Sequence, residues 1–197
     1  MNQPSTLINV PTLSDYGRGD IIYGTSFGLH NHETAEFDLM AHYALTKRFL
    51  LGMTVMSKHD VVGNLHCNFF EIGKNFKWGM VGGVTNMTTR KAISSWDNVE
   101  MTKENNFSSY LVTNFGMDWW NFHIGYGTGR YQKGEPGVER EGILEGAMMG
   151  VDVTLYGVKT AVEFDGRDHN IGVIAKLTPF CDLKVALTEQ FLPTKKN

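Results

Sequence analysis

The sequence predicts an all-β protein, an antiparallel up-and-down (meander) transmembrane β-barrel of about 10–12 strands. Three observations carry that expectation. Apolar residues recur at every second position along most of the 197-residue chain, and successive side chains of a strand point to opposite faces. The alternating runs extend over roughly nine to twelve residues, near the ~9–11 that a transmembrane strand needs and longer than the ~5–6 usual in soluble sheets. The connections between runs are short at one end of the meander, and both long loops fall at the other.

Composition sets the outer limits. At 42% hydrophobic and 12% aromatic, the chain has enough apolar surface to offset the entropy of ordering, which excludes disorder. Its 22 Gly show no three-residue period and there are two Cys, which excludes collagen-like and disulfide-scaffold classes. A net charge of -3 and a pI near 6.1 leave no basic footprint for nucleic acid. Apolar stretches such as Phe49–Met56 fall far short of the ~20 residues of a membrane helix. Met1–Ser5 has neither a basic nor an apolar region of the kind that opens a secretory signal. Cys67 and Cys181 either pair or stay free.

The runs can be taken in order. A weak one covers roughly 20–30. From Thr34 to Tyr43, Ala35, Phe37, Leu39, Ala41 and Tyr43 share one face, and Glu36, Asp38, Met40 and His42 the other. Runs at 49–58, 63–73, 77–87 and 107–116 follow, the first and last with uncertain phase. Trp120, Phe122, Ile124 and Tyr126 oppose Asn121, His123, Gly125 and Gly127. Ala147, Met149, Val151, Val153 and Leu155 oppose Met148, Gly150, Asp152 and Thr154. Val158, Thr160, Val162 and Phe164 oppose Lys159, Ala161, Glu163 and Asp165. Ile171, Val173, Ala175 and Leu177 oppose Asn170, Gly172, Ile174 and Lys176, and Leu183, Val185 and Leu187 oppose Lys184, Ala186 and Thr188.

That makes eleven strands. The connections after the second, fourth, sixth, eighth and tenth are short, whereas those after the fifth and seventh, at 88–106 and 129–143, are long. Short turns on one side and long loops on the other are the asymmetry of outer-membrane barrels. Bacterial barrels of one chain have an even strand number. Two remedies present themselves: residues 5–13 add a strand, with Pro11 confining it to an edge or bulge, or one hairpin between 44 and 90 is miscounted. The expected division is an N-terminal lead-in over 1–18, the barrel over 19–191 and a polar tail over 192–197.

Several segments resemble known proteins. Ile8-Asn9-Val10-Pro11-Thr12 with Gly17-Arg18-Gly19-Asp20 resembles the lead-in of many small outer-membrane proteins of diderm bacteria. Asn68-Phe69-Phe70-Glu71-Ile72-Gly73-Lys74 followed by Trp78-Gly79-Met80-Val81-Gly82-Gly83-Val84-Thr85-Asn86 resembles a strand pair of the YjbH-type, exopolysaccharide-associated barrel family. Val162-Glu163-Phe164-Asp165-Gly166-Arg167-Asp168-His169-Asn170-Ile171-Gly172-Val173 is similar to a hairpin of the same family. The resemblance implies an outer-membrane barrel, linked in some members to polysaccharide export and other envelope proteins, with no catalytic residues to carry over.

The polar faces define the candidate site. The expected lumen set is Glu36, Asp38, His42, His123, Asp152, Lys159, Glu163, Lys176 and Lys184. Buried charges need partners, and in a barrel of this size side chains fill most of the interior. A paired-charge plug is therefore preferred over a narrow polar pore. The expected interfacial aromatics are Tyr23, Trp78, Trp119, Trp120, Tyr126, Tyr131 and Tyr156, near strand ends. His30-Asn31-His32-Glu33 offers metal-ligand chemistry without a third convergent ligand, so a solvated loop is preferred. No serine or cysteine is patterned with a base for nucleophilic catalysis. Gly125-x-Gly127-x-Gly129 has no following helix to make it a phosphate loop. The expectation is thus no enzyme, no metal and no cofactor, with the lipid bilayer of the bacterial outer membrane as partner. The alternative is a soluble barrel that binds a small apolar ligand, as lipocalin-like proteins do.

Overall fold

The structure, a computed structural model, describes residues 11–12, 16–30, 34–56, 60–85, 87, 107–131, 146–166, 169–178 and 181–187. The side chains of 26–30, 34–38, 56, 60 and 130 are not among those described. Eleven strands form one sheet: β1 (Ile21–His30), β2 (Thr34–Ala44), β3 (Phe49–Met56), β4 (Asp60–Ile72), β5 (Lys77–Thr85), β6 (Ser108–Met117), β7 (Trp120–Gly127), β8 (Ala147–Leu155), β9 (Val158–Phe164), β10 (His169–Thr178) and β11 (Cys181–Leu187). Every strand pairs antiparallel with the next in order. A single 3-10 turn, Gly129–Tyr131, follows β7.

The predicted strands and their meander order are borne out, and the structure sets the phase of the two runs whose faces the sequence left open. Leu50, Gly52 and Thr54 point to one side of β3, and Tyr110, Val112 and Asn114 to the same side of β6. The suspected miscount between 44 and 90 is a correction: three separate strands, β3, β4 and β5, occupy that interval. Strand length is a second correction. Strands β3 and β7 have 8 residues and β9 and β11 have 7, shorter than the expected nine to twelve.

The short turns suit their chemistry. Thr46 Oγ1 accepts the backbone N–H groups of Arg48 and Phe49 between β2 and β3, a local bond that substitutes for ladder pairing in a turn. Gly73, at φ +98, opens the β4–β5 turn, and a Cβ there would meet the Phe76 carbonyl oxygen at 1.9 Å. Between β8 and β9, Tyr156 at φ 51 and Gly157 at φ +80 form a two-residue connection, the left-handed pair that matches strand twist in tight hairpins.

One face of the sheet is enclosed and the other is open. Leu50, Val81, Val112 and Met148 are fully buried on the first face. On the opposite face the outward residues Leu51, Leu111, Ile124, Val151, Val162 and Val173 are all exposed. Among the described residues this sheet is the only layer, so one face is hidden by the sheet curling around it. The inner apolar cluster joins Val81, Tyr110, Val112, Tyr131, Met148 and Ala161, with Ala186 of β11 against it.

The lead-in also enters this enclosed side. Tyr16 packs with Ala44, Leu50 and Ile22, and its hydroxyl donates to the Arg48 carbonyl at 3.0 Å. Burial, assisted by nearby Cys67, pushes that hydroxyl up to about 12. Residues 5–10 and 13 lie outside those described. Pro11, expected at an edge or bulge, makes an isolated β-bridge and is fully buried.

Candidate functional site: the polar interior

The enclosed face carries a band of polar side chains from β4 to β11. Alternation puts them there, since each lies at an inward position of its strand, opposite in phase to outward apolar residues. His66 and Asn68 share the inner face of β4, Tyr110 and Asn114 that of β6, Asn121 and His123 that of β7, and Asp152 that of β8. His66, Asn114, His123, Asp152, Glu163, Asp165 and Asn170 are all buried.

Two histidines organise the band. His123 Nε2–H donates to Asp152 Oδ2 at 2.7 Å, while Nδ1 meets the Asn114 side-chain amide. Asn114 Nδ2 is otherwise a buried donor without a partner. Turning this amide by half a rotation lets Nδ2 donate to Nδ1. Asp152 also accepts from Asn121 Nδ2 at 3.2 Å and faces Lys159 Nζ at 3.6 Å. A continuous polar chain thus crosses β6, β7, β8 and β9. The second histidine, His66, accepts the Tyr110 hydroxyl at Nδ1, 2.7 Å, and donates from Nε2 to Asn68 Oδ1 at 3.0 Å.

Nearer β11, Asn170 Nδ2 donates to Glu163 Oε1 at 3.1 Å and to Asp165 Oδ2 at 3.2 Å. Lys184 lies within electrostatic range of Glu163 and Lys159. The interior therefore pairs acids with amides, imidazoles and lysines, as burial requires.

Glycines make room for these side chains. A Cβ on Gly52 would fall 2.0 Å from the His42 ring, and one on Gly83 would fall 2.5 Å from the Tyr110 hydroxyl. One on Gly127 would fall 2.3 Å from Met148 Cε and 2.6 Å from the Tyr131 ring. Each of these three glycines sits under a neighbouring large side chain, so the space that the missing Cβ leaves is filled.

Of the expected lumen residues, His42, His123, Asp152, Lys159, Glu163 and Lys184 face this interior. Lys176 lies in the same phase but is exposed at the short-turn mouth. The side chains of Glu36 and Asp38 lie outside the described residues, although their strand positions oppose Gly28 and Ser26. His66, Tyr110, Asn114, Asn68 and Asn170 belong to the network and were not singled out from the sequence. Their signal is their phase: each alternates with outward apolar residues, as the selected charges do.

The outer face carries aromatics in a band near the short turns. Tyr23, Trp78, Trp119 and Tyr156 are exposed there, and Trp120 is half-buried. Trp78 Nε1–H donates to Thr113 Oγ1 at 2.9 Å, which in turn donates to the Gly79 carbonyl. Phe70 stacks edge-on against Trp78, and Trp119 against Trp120. Lys77 pairs with Asp118 at 2.9 Å beside them. Tyr126 is exposed at the opposite end, late in β7. Tyr131 departs from the expectation. It is buried in the inner cluster because the 3-10 turn after β7 folds it over Gly127.

Both cysteines are free, Cys67 buried and Cys181 exposed. Among the described residues no cluster of three His, Cys, Asp or Glu could hold a metal. Of the candidate metal run, Asn31, His32 and Glu33 lie outside those residues, as does the side chain of His30. Comparisons with family models, curated proteins and solved structures give no match for this chain.

Proposed function

We propose that this chain is an outer-membrane β-barrel whose apolar belt faces lipid and whose polar interior is filled by its own side chains. Its role is structural, or transport through a narrow path at most. The observation that carries the reading is the inversion of the two faces. Exposed Leu, Val, Ile and aromatic side chains cover the outer surface of consecutive strands, while His, Asn, Asp and Glu are buried and bonded to one another inside. In water that arrangement would leave a far larger apolar patch in solvent than soluble monomers tolerate. In lipid the same belt is the stable surface.

The interior chemistry supports a plug rather than a reaction centre. Both ring nitrogens of His66 and of His123 are engaged by Tyr110, Asn68, Asn114 and Asp152. None of those partners is a serine or cysteine that a base could activate. A soluble barrel for a small apolar ligand is the weaker reading, since such a site is lined mainly by apolar side chains.

Detergent dependence tests the proposal directly. Protein refolded into micelles should migrate faster on SDS gels unheated than boiled, and should precipitate when detergent is removed. A monodisperse, folded protein at high concentration without detergent would sink the membrane reading.

A further inference from the structure

We infer that the two edge strands, β1 and β11, seal directly against each other as a parallel pair, with Ile21 beside Cys181. The inference rests on the enclosed sheet and not on the bilayer, so detergent dependence tests the membrane reading separately.

The first argument is direction. Strands alternate along the meander, so β1 and β11, both odd in order, run the same way, from the short-turn end toward the long-loop end. Direct closure is therefore parallel, and antiparallel closure would need another strand between them. The second argument is cover. Inward residues of the central strands, such as Asn114, His123, Asp152 and Ala161, are buried. Those at the two edges, Ile22 and Gly24 on β1 and Asp182, Lys184 and Ala186 on β11, are half-buried.

Register supplies the third argument and fixes the alignment. Partners followed straight across the sheet from Ile21 run through Tyr43, Leu51, Leu65 and Val84 to Ser109. A second path runs from Trp78 through Phe115, Phe122, Val151, Val162 and Ile171 to Leu187. On β6 the two paths are six residues apart, Ser109 to Phe115, so the first would reach β11 six residues beyond Leu187. Setting Ile21 beside Cys181 adds the six residues from Leu187 back to Cys181, a stagger of twelve.

Twelve residues of ~3.3 Å rise over eleven strands ~4.8 Å apart tilt the strands by about 37°, within the ~35–45° of closed barrels. An odd stagger would set an outward side chain beside an inward one. Ten residues would give about 32°, below that range, and fourteen about 41°, within it, but fourteen would carry Ile21 past Cys181, the first residue of β11. Twelve also aligns the first residues of both strands, and it continues the outward apolar row from Leu183, Val185 and Leu187 to Ile21 and Tyr23.

Cys181 is exposed and free on this seam, so cysteine crosslinking reads the proposal. In a Cys67→Ser background, Ile21→Cys should oxidise to an intramolecular disulfide with Cys181, because parallel neighbours lie ~4.8 Å apart and a disulfide spans Cα atoms up to ~7 Å. The off-register pair Ile21→Cys with Val185→Cys, made with Cys181→Ser, should react about tenfold more slowly, its partners lying ~13 Å apart along the strand. Ile21→Cys with Tyr43→Cys, directly opposed between β1 and β2, in the same double-serine background, reports that the variant folds and oxidises. A dimer crosslinked through Cys181 would overturn the proposal in favour of an edge shared with a second copy. No Cys181 bond while the control pair closes would overturn it in favour of a strand lying between β1 and β11.

Discussion

At the residue scale, burial without charge loss depends on single partners. Asp152 answers His123, Asn121 and Lys159 at once. Asp152→Ala should therefore cost about 3 kcal/mol in urea unfolding, because it strands buried donors as well as losing a charge. Asp152→Asn keeps an acceptor and should cost clearly less. Glycines split by what lies above them. At Gly83 a Cβ would meet the Leu65 carbonyl oxygen at 2.2 Å, which is backbone and cannot turn aside. Gly83→Ala should cost ~1–3 kcal/mol. At Gly24 the nearest atom is Met40 Cγ at 3.3 Å, a flexible neighbour, so Gly24→Ala should lie within ~0.5 kcal/mol of wild type. Tyr16 gives a pH-dependent counterpart. Its hydroxyl holds its proton up to about 12, whereas an unfolded tyrosine loses it near ~10. Its contribution is complete below the unfolded value and falls away as pH rises from there toward 12. Tyr16→Phe should be less stable than wild type at neutral pH, and that deficit should shrink across this alkaline window.

At the element scale, each strand presents one face to each environment, and the depth of a residue along the strand sets what it tolerates. Val151 lies mid-strand in β8, outward and exposed, while Leu155 ends the same strand. In a bilayer, Val151→Arg should cost ~2–4 kcal/mol and Leu155→Arg ~0–1. In water both would be nearly neutral, within ~0.5 kcal/mol. Folding titrations in lipid vesicles distinguish the two outcomes. The strands themselves were legible in the sequence, since alternation such as Val158 to Asp165 needs no tertiary information. Their ends were less so. In β4 the ladder shifts between Asn68 and Phe70, a bulge that local pattern does not announce. Tyr131 was misread for a similar reason: strand-end aromatics look alike in sequence, and only the turn after β7 sends this one inward.

At the scale of the whole molecule, the proposed plug makes a prediction of its own. Planar-bilayer recordings of the wild type should accordingly show no stepwise conductance. Discrete steps would move the interior from plug to pore. The seam between β1 and β11 belongs to this scale too, since no single hairpin contains it. It emerges only when the registers of all ten pairings are followed around the sheet.

The sequence by itself determined the period-two pattern, the eleven strands, their meander order and the two composite faces. It did so because those properties depend on neighbours within a few residues. Which face turns inward was not determined there, since an apolar-in and an apolar-out barrel produce the same alternation. The tertiary structure decided it by curling the sheet so that Asp152, His123 and Asn170 lost water while Leu111, Val151 and Val173 kept their exposure. Partnership was decided at the same level. The bonds from His66 to Tyr110 and from His123 to Asp152 join residues 44 and 29 positions apart, and only strand register brings such groups within reach.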